Sequence, residues 1–145
     1  MSKMKAVLDK LKNALETAGA VQFLEPAAEP EAIAEWESEK NAALPAEIKE
    51  FLQFSNGFEY GMNFMVFPLG RIRIIRDWVG VPDGWLHLGQ LIGDGCYIVS
   101  DENGELYKCD HESRPMLEKF PRESFAEWIE GHVLESIYED YDVFE

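Results

Sequence analysis

The sequence predicts a single α+β domain, with helices at both ends and strands between them, from three observations. Apolar residues recur at helical spacing from Met4 to Phe54, the period turns strand-like from Phe58 onward, and Ser124-Phe125-Ala126-Glu127 has the form of a capping box that opens a closing helix. A length of 145 residues with 46% hydrophobic content suits one domain around one core.

The first helix runs from Ser2 to Ala18, with Met4, Val7, Leu8, Leu11, Leu15 and Ala18 on one face and Gly19 as its stop. Val21 to Leu24 reads as a short edge strand or an extended connector. The prolines at 26 and 30 make Glu25 to Pro30 a connector as well. A second helix begins at Pro30 or Glu31 and reaches Lys40, turning Ile33, Trp36 and Ala32 inward and leaving Glu31, Glu35, Glu37 and Glu39 in water. After a break at Asn41 to Leu44 comes the stretch around which the chain is organised, Leu44 to Gly57. Pro45 suits a first helical turn, Glu47 sits near the positive end of the helix dipole, and Ile48, Phe51 and Leu52 form an apolar stripe that Phe54 extends. Asn56-Gly57, both tolerant of positive φ, reverse the chain out of it.

Met62 to Phe67 and Arg71 to Trp78 read as strands separated by Pro68-Leu69-Gly70. In the second, Arg71 and Arg73 share one face and Ile72 and Ile74 the other, while Ile75 breaks the alternation as a bulge would. Trp78 to Trp85 is a loop turned by Pro82-Asp83-Gly84. A strand runs from there to Leu91, then a turn at Gly93-Asp94-Gly95, then Cys96–Ser100 and Glu105–Cys109 as a hairpin closed through Asn103-Gly104. The closing helix buries Phe125, Trp128, Ile129, Val133 and Ile137, and Gly131 weakens it locally. From Glu127 to Glu145 there are seven acids and no Lys or Arg, with Tyr138, Tyr141 and Phe144 among them.

Charge is the most unusual bulk property. With 28 acidic and 13 basic residues the net charge is −15. Such a field repels nucleic acid and anionic membranes; it either serves solubility alone or steers a basic partner. No apolar run reaches the roughly 20 residues of a membrane span, and Met1 to Lys5 leads into an amphipathic helix, so a cytoplasmic protein is expected. Cys96 and Cys109, thirteen positions apart, are too few for a disulfide framework and fit a reducing compartment.

Reactive constellations are few. Cys96, Cys109, Asp110 and His111 lack the paired spacing of a zinc site, and Cys96 with His87 or His111 has no local support as a nucleophile and base. There is no phosphate loop and no dinucleotide fingerprint. No cofactor, no metal and no catalytic residue is expected.

The order Leu44-Pro45, Phe51-Leu52, Asn56-Gly57, then Gly93-Asp94-Gly95 ahead of the Tyr97 strand, then Gly104-Glu105-Leu106-Tyr107 and Asp110-His111-Glu112, resembles the SUKH superfamily over Ala32 to Ile137. Ser124-Phe125 to Trp128-Ile129 is similar to that family's closing helix; Gly93 to Ser100 matches its glycine-rich turn only approximately. The resemblance implies one domain spanning 1–145 with a core at about 30–138, and an antiparallel or mixed sheet of about five to six strands flanked by helices. Bacterial members are often immunity proteins that neutralise a toxin, commonly a nuclease, and eukaryotic relatives are regulatory interaction proteins; the family is not one of enzymes. It implies an acidic protein that binds a basic toxin domain, with a regulatory or small-ligand-binding module as the alternative. The partner-binding candidates are Glu59, Asp83, Trp85, Asp94, Asp101, Glu139, Asp140 and Asp142, acids and one aromatic placed to steer and anchor a basic surface.

Overall fold

The computed structural model describes residues 3–61, 64–78, 80–92, 95–110 and 117–141. Helices α1 (Lys3–Ala18), α2 (Pro30–Lys40) and α3 (Ala46–Phe54) precede strands β1 (Phe58–Tyr60), β2 (Phe64–Val66), β3 (Arg73–Ile74), β4 (Leu86–Leu91), β5 (Cys96–Ser100), β6 (Glu105–Asp110) and β7 (Leu117–Ser124). A closing helical segment completes the order as α4 (Phe125–Trp128), a π turn (Ile129–Val133) and α5 (Leu134–Tyr141). The strands form one antiparallel sheet in the order β1-β2-β4-β5-β6-β7, and β3 pairs with β4 beyond the end of β2. The predicted α+β class and its flanking helices are present.

All helices pack on one face of the sheet. Leu11 and Leu15 of α1, Ile48, Phe51 and Leu52 of α3, and Trp128, Leu134 and Ile137 of the closing segment meet Phe58, Phe64, Ile98 and Leu106 in one core. Each stripe is amphipathic, so its burial follows from the sequence. Helix α3 is where the pieces lock. Its Glu47 accepts a hydrogen bond at 3.0 Å from the Ala126 amide, satisfying a donor that the first turn of α4 leaves open. The capping box at Ser124 and Glu127 satisfies the amides beside it.

Several expectations are corrected. Arg71 to Trp78 is a strand only at Arg73–Ile74, because a 3₁₀ turn at Leu69–Arg71 delivers the chain to the sheet late and the loop after Ile75 leaves it early. Val21–Phe23 is a 3₁₀ turn, and Leu24 makes one bridge to Phe58. Ala32 is exposed. At the end of α3 only Gly57 takes positive φ, at 100°; a Cβ there would lie 3.0 Å from the Pro68 nitrogen. Asn56 contributes its side chain instead, accepting the Leu69 amide at 2.8 Å. The strand-like stretch from Phe58 divides into β1 and β2, and strand β7 is an addition that the sequence pattern does not announce.

The closing segment contains one extra residue in its turn, the Leu134 amide bonding to the Ile129 carbonyl. The insertion rotates α5 relative to α4, which is how Leu134 joins Val133 and Ile137 in the core. It also aims Asp140 at the edge of the sheet, where Tyr60 donates its phenolic proton to Asp140 Oδ2 at 2.7 Å. Burial first, then Asp140, raises the Tyr60 phenol far above its ordinary range. Tyr60→Phe is expected to cost about 1 kcal/mol in urea unfolding, since the acceptor is exposed and reclaims water when the donor is removed.

Candidate functional site

The face of the sheet opposite the helices carries a second, smaller core built by one loop. Ile75, Val81, Val99 and Cys109 are buried there, and Trp78, Trp85, Tyr97 and Tyr107 pack half-buried around them. The loop between Ile75 and Trp85 is closed at its base: Ile75 donates to the Trp85 carbonyl at 2.7 Å and accepts from the Gly84 amide at 2.9 Å. It turns through positive φ at Asp77, Gly80 and Gly84. Asp83 Oδ1 accepts the Asp77 amide at 2.9 Å, tying one turn to the other.

This loop lays an aromatic layer on the sheet. Trp85 packs on Tyr107 with ring centroids 4.7 Å apart. His87 is enclosed by Tyr97 at 4.4 Å, Phe67 at 4.8 Å and Trp78 at 5.1 Å. Burial among these rings lowers its pKa to about 4, a shift that the Gly89 carbonyl opposes and that Arg71 and Arg73 reinforce. Its imidazole is therefore neutral at physiological pH. Arg71 lies 4.3 Å over the Phe67 ring and closes the layer at one side.

The candidate residues divide by place. Glu59, Asp83 and Trp85 stand on this face: Glu59 is exposed on β1, paired with Met65, while Phe58 and Tyr60 point to the main core. Asp101 is 8% exposed, and its Oδ1 accepts the Asn103 and Glu105 amides at 2.9 and 3.0 Å, which makes it the brace of the β5-β6 turn. Asp140 is held by Tyr60 and lies on the closing helix with the exposed Glu135 and Glu139. Of the other acids there, Glu130 pairs with Lys10 and Glu127 with Lys3, both from α1. Asp94 and Asp142 lie outside the described residues.

Sequence reasoning missed His87, Tyr97, Tyr107 and Trp78 as neighbours of Trp85. The alternation of Tyr97 with Ile98 and of Tyr107 with Leu106 was the available signal, but only the register brings them under the loop. That register also settles the cysteines. Tyr97, not Cys96, is opposite Cys109, so the two thiols stand on opposite faces of the sheet and no disulfide joins them. Among the described residues no group of His, Cys, Asp and Glu is arranged to hold a metal. Also among them, no helix is long and apolar enough to cross a membrane.

The architecture is an antiparallel sheet with helices on one face and an aromatic layer on the other. The chain belongs to the SMI1 / KNR4 family (SUKH-1), whose model matches residues 27–131, from the connector before α2 to the π turn. No curated protein and no solved structure matches the chain.

Proposed function

We propose that this chain is a non-catalytic, cytoplasmic immunity protein that binds a basic toxin domain through the loop-covered face of its sheet. The observation that carries the reading is the aromatic layer of Trp78, Trp85, Tyr97 and Tyr107, half-buried on a face of the sheet that also presents the exposed carboxylates of Glu59 and Asp83. Large rings offer desolvated contact at small entropic cost, and the surrounding charge speeds encounter with a basic surface. Family membership supports the reading, since SUKH domains are often immunity modules that interact with proteins. A groove of about 500 Å³ beside Glu59, floored by Met65, Val66 and Pro68, favours small-ligand binding as the second reading.

The test is complex formation with the product of a toxin gene adjacent to this one, together with rescue of cells that express it. Trp85→Ala is expected to weaken the complex by about 2 kcal/mol or more, chiefly through faster dissociation. Glu59→Gln and Glu139→Gln are expected to slow association at low salt while each changes affinity by only about 0.2–1 kcal/mol. A toxin bound equally well by the Trp85 variant would remove this face from the mechanism. Rescue without any complex would overturn the immunity reading.

A further inference from the structure

Positive charge gathers at the free edge of β3. Lys40 at the end of α2, Arg73 on β3 and Arg76 just after it line one recess of about 680 Å³ together with Trp36, Ile72 and Ile74. All three cations are exposed. Among the described residues none of the three makes an ion pair, whereas Lys3, Lys10 and Lys49 each do. One carboxylate, that of Glu39, shares the recess. In a chain of net charge −15 this is a local excess of positive charge that the fold leaves unneutralised.

The backbone beside these cations is also open. Strand β3 pairs with β4 on one side, and among the described residues no strand pairs with it on the other. Ile75 directs its amide and carbonyl to Trp85 and Gly84, and Arg73 lies opposite His87. By the alternation of an antiparallel ladder, the amide and carbonyl of Ile74 between them face away from β4, toward the recess. Identical edges would bring arginines against arginines, which disfavours pairing with a second copy.

We propose that this recess binds an extended acidic segment of a protein partner, which pairs with the Ile74 backbone and sets its carboxylates against Lys40, Arg73 and Arg76. The recess adjoins the aromatic face at the edge of the sheet, where Arg73 lies opposite His87, but its cations and its open backbone take no part in the aromatic layer's packing, so the proposal stands whether or not the chain neutralises a toxin. Arginine suits the role because its planar donors pair with carboxylates two at a time.

The experiment titrates the full chain with a dye-labelled peptide of alternating Glu and Val, monitored by anisotropy and by amide chemical shifts. Saturable binding with a shift and slowed exchange of the Ile74 amide is expected. Arg73→Glu combined with Arg76→Glu should weaken binding by at least about tenfold, and Lys12→Glu, at an exposed position of α1, should leave it unchanged. A peptide N-methylated at alternate residues should bind at least about tenfold more weakly, because it cannot complete the ladder. Equal affinity for an alternating Lys and Val peptide would overturn the proposal. So would retained affinity of the N-methylated peptide, or full competition by millimolar inorganic phosphate, which would mark a simple anion site.

Discussion

Gly89→Ala is expected to destabilise the protein by about 3 kcal/mol or more. Gly89 lies opposite Val66 where β4 slips register against β5, between His87 and Gly89. A Cβ at this position would overlap the Met65 carbonyl oxygen and crowd the Val66 Cα, both parts of the neighbouring strand's backbone. Side chains could rotate away from such a clash, but a hydrogen-bonded strand cannot without opening the sheet. Gly70→Ala is the control, since a Cβ there meets nothing within 4 Å. Urea unfolding should separate the two variants clearly; equal midpoints would show that β2 and β4 yield more readily than their pairing implies.

The second large effect is loss of stability in mild acid through His87. In the unfolded chain this imidazole takes a proton near pH 6.5; in the folded chain it does so only near pH 4. Between those values the unfolded state binds more protons, so stability falls as pH falls from about 6.5 to about 4 and then levels off. The full shift corresponds to at most about 3 kcal/mol, and partial exposure of the group reduces the expected loss to about 2 kcal/mol. His87→Phe keeps a ring among Phe67, Trp78 and Tyr97 but cannot take up a proton. The difference between the two stability profiles from pH 7 to pH 4 isolates the histidine from the many carboxylates, and parallel profiles would refute its role.

The sequence revealed what is specified locally. Pro30, Pro45 and Ser124 marked helix starts within a residue or two, and the stripes of α1 and α3 pointed to the core as their spacing required. Strand β7 escaped notice because Leu117-Glu-Lys-Phe-Pro-Arg-Glu-Ser124 has too few apolar residues to announce a strand and depends on pairing with β6. The strand-like period from Phe58 and the alternation from Arg71 to Ile74 were legible, but the bounds of β1 and β3, of three and two residues, were not. Of the candidate site, Trp85 and its acidic neighbours were readable one by one. Their assembly into a layer was not, because it rests on a loop closed across the sheet. For Asp101 and Asp140 the charge was visible, but not the amides and the phenol that engage it.

Helix α1, whose Lys10 reaches Glu130 across 120 positions of sequence, also bears on how the chain is made. It precedes every other element of the fold in synthesis and packs against the last, α5. At typical synthesis rates its seat is completed roughly ten seconds after the helix itself emerges from the ribosome, and meanwhile only α3 and the turn after α1 can cover part of the stripe of Met4, Val7, Leu8, Leu11 and Leu15. Folding to the final state must therefore wait for the closing segment.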